Sequence, residues 1–178
     1  MSNILIIKHG SLGDLIQANG AIKDIKDSFR SSKVLLLTSR AYLEFMSECP
    51  YLDGVILDKR LPRWNIFYLN DLKKLLEKYN FSHVFDLQNS NRTKFYKKYL
   101  LKDPIWSSSE TSLEVGEKLS DFNEDSVLDR IEKQLKKISP EFGDRYVLEF
   151  RDMLINYLGP ILPEPKINHS ILQNTIIL

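Results

Sequence analysis

The sequence predicts an α/β domain, a parallel sheet flanked by helices, and three observations carry that expectation. Four short apolar runs, at residues 4–7, 34–37, 55–57 and 84–87, alternate with stretches whose apolar residues recur every three or four positions; this is the pattern of βαβ units. The first run, Ile4-Leu5-Ile6-Ile7, is apolar throughout and mostly β-branched, as a strand buried on both faces requires. It passes through Gly10-Ser11-Leu12-Gly13-Asp14 directly into a helical pattern, the kind of strand–turn–helix junction where α/β proteins bind ligands.

After that turn, Leu15, Ala18, Ile22, Ile25 and Phe29 give the helix one apolar face for the sheet. Ser11 or Asp14 stands near its start, where backbone N–H groups lack intrahelical partners and the helix dipole is positive. The site therefore suits a carboxylate side chain or a bound anion. Asp14 reads as a helix cap on spacing alone. Gly10 and Gly13 are separated by two residues, which fits neither the dinucleotide fingerprint nor the phosphate loop. In the third helix Leu69, Leu72, Leu76 and Tyr79 form the packing stripe, with Lys73, Lys74 and Lys78 toward water. Leu128, Ile131, Leu135 and Ile138 mark a later amphipathic helix ended by Ser139-Pro140. A further helix is expected at about 145–158, an extended Pro-rich linker at 159–165, and a new buried strand at 174–178. The organisation expected is one domain over 1–158 followed by a linker and the first strand of a second domain over 159–178. Right-handed crossovers put the strand C-terminal ends on one edge. Asp14 and the loops at 58–64 and 88–93 share that edge.

Composition narrows the function classes. The chain has 178 residues and a formal net charge of +1, enough length for a core and no global preference for a charged partner. Its single cysteine, Cys49, rules out an intramolecular disulfide and a zinc cluster and reads as an apolar filler of a protein in a reducing compartment. Residues 4–7 are too short for a secretory signal core, and no apolar run approaches the roughly 20 residues of a membrane span. A cytoplasmic protein is expected, with room for peripheral contact at a membrane surface. No cofactor and no metal site is predicted.

Charge is unevenly spread. Between Lys59 and Lys102 basic residues far outnumber Asp71, Glu77 and Asp86, whereas acidic residues predominate from Glu110 to Asp152. Most of the lysines, including Lys97 and Lys98, read as solvated helix faces. Arg60, Arg63 and Arg92 are expected in loops on the functional edge, where guanidinium groups can grip phosphate or carboxylate oxygens. Trp64, Phe67 and Tyr68 beside them either lie against a sugar or lipid surface or anchor the loop to the core. His9 adjoins the turn and reads as structural or as orienting a ligand; His83 and His169 have weaker claims. Asp86 ends the fourth strand, as a cleft residue, a cap or an ion-pair partner. A nucleic-acid role is not expected, given the acidic second half and the absence of a recognisable motif.

The run from 4 to 25 resembles the opening of the bacterial heptosyltransferases, glycosyltransferase family 9. Ser11-Leu12-Gly13-Asp14 matches that family's Ser-Leu-Gly-Asp turn in full, Ala21-Ile22-Lys23 sits where it has Pro-Ala-Leu-Arg, and Asn19-Gly20 departs from its Leu-Pro-Ala approach. Further on, Val34-Leu35-Leu36-Leu37-Thr38, Pro50-Tyr51-Leu52-Asp53-Gly54-Val55-Ile56 and His83-Val84-Phe85-Asp86-Leu87-Gln88-Asn89-Ser90-Asn91-Arg92-Thr93 resemble family segments in the same order. The resemblance covers roughly the first hundred residues.

It implies a Rossmann-like domain forming the N-terminal, acceptor-side half of a GT-B fold. The C-terminal donor-binding domain would begin near Thr175 and is missing. It also implies a function: transfer of a heptose from an ADP-heptose-like nucleotide sugar to an anionic lipopolysaccharide-core glycolipid at the inner membrane, with inversion and without a metal. Asp14 then corresponds to the general base, with Ser11, Gly13, Arg60, Arg63 and Arg92 on the acceptor. Activity of the 178-residue chain alone is not expected. The competing reading is a non-catalytic module that binds an anionic glycan or a partner subunit.

Overall fold

Five strands, Asn3–Ile7 (β1), Lys33–Ser39 (β2), Gly54–Asp58 (β3), Phe81–Asp86 (β4) and Ile105–Ser107 (β5), form one all-parallel sheet in the order β3-β2-β1-β4-β5. The computed structural model describes residues 3–138. The helix expected at 145–158, the linker, the strand at 174–178, the boundary at 158 and His169 lie outside the described residues. The helices are Leu12–Ser28 (α1), Leu43–Ser47 (α2), Ile66–Glu77 (α3), Asn91–Tyr99 (α4), Ser109–Ser112 (α5), Leu119–Glu124 (α6) and Val127–Lys136 (α7).

The period of two along β1 divides the core into layers. Ile4 and Ile6 face a cluster built with Leu15, Ala18, Ile22 and Ile25 of α1, Met46 of α2, and Ile131 and Leu135 of α7. Leu5 and Ile7 face the opposite cluster, with Leu69, Leu72 and Leu76 of α3 and Tyr96 of α4. All four β1 residues are fully buried, as expected of a central parallel strand. Cys49 is buried within the first cluster. Each major helix starts on a polar cap. The Asn65 side chain accepts the Tyr68 N–H at 3.0 Å, Ser90 Oγ accepts the Thr93 N–H at 3.2 Å, and Ser126 Oγ accepts the Asp129 N–H at 3.2 Å.

Three local expectations change. β5 has only three residues, too few to show a periodicity, and it went unpredicted. Leu128 is exposed; Val127 packs on the core in its place, because Val127, Ile131 and Leu135 follow the i, i+4, i+8 stripe and Leu128 lies about 100° round the helix. Arg92 belongs to the first turn of α4 rather than to a loop.

The topology fixes where a ligand can sit. From β1 the chain runs outward through β2 to β3, then returns to the other side of β1 for β4 and β5. The two halves diverge between β1 and β4, and the crevice beyond the carboxyl ends of those strands is the ligand site of open α/β sheets. At its mouth Gly10 has a φ of +120°, and a Cβ there would run into the Tyr42 ring. Gly10→Ala is expected to cost ~1–3 kcal/mol, from the positive φ and the displaced ring. Urea denaturation of the two proteins measures it.

Candidate functional site

Asp14 sits at the open end of α1. Ser11 is the N-cap, and its N–H donates to Asp14 Oδ2 at 2.7 Å while its hydroxyl lies 3.3 Å from the same oxygen. One carboxylate oxygen thus caps the helix, and the other has no hydrogen-bond donor among the described residues. Capping and chemistry are therefore compatible in this residue. Gly13 follows Leu12 in the first turn, exposed, and a Cβ built on it would touch nothing. The approach to the helix N-terminus is open.

Across the crevice, the loop after β4 supplies the second wall. Asp86 is buried and accepts the Gln88 and Asn89 N–H groups at 3.1 and 2.9 Å, which tightens the turn. Burial pushes its carboxyl above the usual range, against those hydrogen bonds. The two loops are tied together: the His9 N–H donates to Gln88 Oε1 at 2.8 Å and Lys8 Nζ to the Leu87 carbonyl at 3.0 Å. Lys8 is buried, and desolvation lowers its pKa while Asp14 and Asp86 oppose that shift. A desolvated ammonium beside a crevice gains most from an incoming anion.

A third element closes the site. Gln134 on α7 is buried and donates through Nε2 to the carbonyls of Asp86 and Ser107 at 3.0 and 2.9 Å, while its Oε1 accepts from Asn89 Nδ2 at 3.0 Å. Those bonds lock α7 across the ends of β4 and β5. Arg130, one turn earlier on the same face, is thereby carried over the crevice. It lines a cavity of about 190 Å³ with Lys8, Asp14, Gln88, Asn89 and Asn123. The buried Nε of Arg130 has no hydrogen-bond acceptor among the described residues. The cavity thus joins one carboxylate, two cations and amide groups, a set that can hold an anionic, hydroxyl-bearing ligand and take a proton from it.

Toward β3 a second centre forms on Asp58, whose side chain is fully buried. Its carboxylate accepts the hydroxyls of Tyr68 and Tyr96 and the Arg60 N–H at 2.7 Å, and His9 Nε2 stands 2.8 Å from Oδ2. Burial alone would raise its pKa; the bonds from His9, Tyr68, Tyr96 and Arg60 win and hold it well below the usual carboxylate range. Asp58 holds Arg60 in the left-handed region, φ 51°, with its guanidinium in solvent. Arg92 turns to its own chain: its Nε donates to the Tyr96 hydroxyl, one terminal nitrogen donates to the Leu61 carbonyl at 2.7 Å, and Asp58 lies 3.7 Å away. Arg63 is exposed, its guanidinium 5.8 Å from the Phe95 ring centre.

Of the residues singled out in the sequence, Ser11, Gly13 and Asp14 share the crevice mouth. Arg60, Arg63 and Arg92 gather at the β3 side, linked to the crevice through His9, which bridges Gln88 and Asp58. Tyr68 anchors the loop to the core, and Trp64 and Phe67 face solvent. Lys8, Gln88, Asn89, Arg130 and Gln134 were not predicted as site residues. Lys8 was within reach of inspection, as a charge closing an apolar strand. Nothing local marks Arg130, on a charge-rich helix. Among the described residues no cluster of His, Cys, Asp and Glu suits a metal, and no helix is long and apolar enough to cross a membrane.

The chain has the glycosyltransferase-like α/β fold found in the family 9 heptosyltransferases. It superposes on E. coli heptosyltransferase WaaC with ADP-2-deoxy-2-fluoro heptose at a TM-score of 0.63 and 13% identity, covering 91% of this chain and 55% of that one. The same enzyme with ADP gives a TM-score of 0.60 at 13% identity, with 91% and 54% covered. The glycosyl transferase family 9 structure from Veillonella parvula gives 0.62 at 15% identity, with 92% and 51% covered. The chain thus spans about half the length of these structures. No protein-family model and no curated protein sequence matches it.

Proposed function

We propose that this chain is the acceptor side of a heptosyltransferase-type reaction, in which a heptose passes from an ADP-heptose-like nucleotide sugar to an anionic lipopolysaccharide-core acceptor at the cytoplasmic face of the inner membrane. The observation that carries the reading is the cavity at the switch point, where Asp14 meets Lys8 and Arg130. The two structures matched with bound nucleotide, one with ADP and one with an ADP-heptose analogue, support a nucleotide-sugar donor. In this reading the donor is held by residues beyond those described.

The chemistry follows from the cavity. Lys8 and Arg130 take the carboxylate or phosphate of the acceptor and so bring its hydroxyl to Asp14. As that oxygen bonds to the anomeric carbon, the proton moves to the uncapped oxygen of Asp14, the bond to the nucleotide diphosphate breaks, and the configuration inverts. Ser11 holds the carboxylate in place through its N–H, and Gly13 leaves the helix N-terminus clear of side chain.

Calorimetric titration of the protein with a soluble Kdo-bearing lipid A core oligosaccharide tests the reading. Saturable binding is expected, and Arg130→Met is expected to weaken it roughly ten- to a hundredfold through loss of a charge-assisted contact. Unchanged affinity in that variant overturns the assignment of the pocket. Tight binding without transfer in the protein as its gene encodes it, supplied with ADP-heptose, favours the non-catalytic glycan-binding module.

A further inference from the structure

We propose that Gln88 determines acceptor specificity: its side-chain amide donates a hydrogen bond to an uncharged oxygen, hydroxyl or ether, on the carbon next to the one whose hydroxyl reacts at Asp14. The inference rests on the sugar-transfer reading of the cavity and narrows its substrate class to an acidic sugar with neighbouring oxygens. Hydrogen bonding fixes which end of the amide is available. The atom facing the His9 N–H at 2.8 Å must be an acceptor, since a backbone N–H can only donate, and so it is Oε1. Nε2 is thereby turned away from His9, and it has no acceptor among the described residues. The tether is firm at both ends. His9 is 3% exposed, its carbonyl accepts the Ser39 hydroxyl at 2.8 Å, and its Nε2 stands 2.8 Å from Asp58 Oδ2. The Gln88 N–H in turn donates to Asp86 Oδ1 at 3.1 Å.

The other amides of the cavity are spent or unheld. Asn89, in the left-handed region at φ 48°, accepts the Ser109 N–H through Oδ1 at 2.7 Å and donates through Nδ2 to Gln134 Oε1 at 3.0 Å. It braces the loop and has no end left for a ligand. Asn123 borders the cavity but is exposed. Gln88 alone among them combines a fixed oxygen with a free donor, and it lines the same cavity as Asp14, Lys8 and Arg130. The division of labour follows from charge. Lys8 and Arg130 suit the acid group of the acceptor, and Asp14 takes the proton of the reacting hydroxyl. His9 ties Gln88 to the turn that carries Asp14 five residues later, so the amide stands on the Asp14 wall. A donor on the reacting oxygen itself would draw density from the nucleophile. On the neighbouring oxygen it fixes the rotation of the sugar without that penalty, and being uncharged it discriminates by the presence of an oxygen rather than by charge.

A mutant cycle between protein and ligand isolates the contact. The methyl glycoside of Kdo and each of its monodeoxy analogues are titrated by NMR into wild type, Gln88→Met and Gln88→Glu. Loss of the reacting hydroxyl weakens binding in wild type and Gln88→Met alike, because Asp14 is unchanged. Loss of the neighbouring oxygen is expected to weaken wild type about three- to tenfold, the worth of one hydrogen bond between uncharged groups, and to leave Gln88→Met unaffected. Gln88→Glu keeps an oxygen for the His9 N–H, and so keeps the loop, while exchanging the Nε2 donor for a carboxylate oxygen. It is expected to bind the Kdo glycoside at least about tenfold more weakly than wild type, and to do so in about 0.5 M salt, where charges out of contact are screened. A glutamine that only ties the two loops together predicts otherwise: Gln88→Glu binds as wild type does, or every deoxy penalty is the same in Gln88→Met as in wild type. Either result overturns the proposal, and Gln88→Glu decides it if Gln88→Met does not fold. Absence of binding by wild type, to this glycoside and to the core oligosaccharide, overturns the underlying reading and this inference with it. Binding by wild type with uncoupled penalties overturns this inference alone.

Discussion

Asp14→Asn is expected to lower transfer by roughly 10²–10⁴-fold in the protein as its gene encodes it, the contribution of a positioned general base. The substitution is chosen to separate the two roles of the residue. An asparagine oxygen can still accept the Ser11 N–H that Asp14 Oδ2 accepts at 2.7 Å, so the start of α1 survives and the unfolding free energy should move by less than about 1 kcal/mol. Only proton acceptance is removed. Asp14→Ala removes the cap as well and is expected to cost about 1 kcal/mol more in stability. Turnover is read with ADP-heptose and the Kdo-bearing acceptor, and acceptor affinity by calorimetry on the same variants. Wild-type turnover in Asp14→Asn would remove Asp14 from the chemistry and leave it a capping residue.

The largest effect on stability is expected at Asp58. Asp58→Ala leaves the hydroxyls of Tyr68 and Tyr96 and the imidazole of His9 facing a void in a fully buried site. Removing the acceptor from such a network costs about 3–5 kcal/mol, because the remaining polar groups stay desolvated. Chemical denaturation at neutral pH measures the loss. The same carboxylate gives stability a definite acid dependence. Its pKa in the fold is lowered from an unfolded value of about 3.9. Its contribution is complete above about pH 5 and fades as pH falls through 4 toward the folded pKa, where the native state must bind the proton as well. Asp86 acts with the opposite sign: its folded pKa is raised, so its contribution is present at low pH and lost as pH rises. Comparing wild type with Asp58→Asn isolates the first term. The stability difference between them should shrink from pH 5 to pH 3, and a pH-independent difference would refute the carboxylate hub.

Much of the fold was legible in the sequence, and for a local reason. β1 reads as a central strand because burial on both faces requires every side chain to be apolar, and Ile4, Leu5, Ile6 and Ile7 are all fully buried. The stripe of α1 and that of α3 repeat at helical spacing, so their packing faces could be assigned without the sheet. Asp14 was legible because a strand, a glycine turn and a helix start lie within eleven residues. The amphipathic pattern at 127–138 gave α7 as a helix but misplaced one core position, taking Leu128 for Val127. Periodicity narrows a buried stripe to within a residue; only the neighbouring layer selects the member.

The fold class, the central strand and the carboxylate at the helix start were thus determined by the sequence itself, since each rests on contacts between residues near in the chain or on a repeat that the sheet imposes. The tertiary structure alone decided what surrounds that carboxylate. Lys8 bonds the Leu87 carbonyl across 79 positions and Gln134 reaches Asp86 across 48, and it is the second of these that carries Arg130 to the crevice. Arg92, expected in a loop, gives two of its five N–H donors to Tyr96 and Leu61, beside the buried Asp58 carboxylate that organises that side of the sheet. Which donors a charge meets depends on chain segments that converge only when the sheet forms, and no spacing in the sequence encodes that convergence.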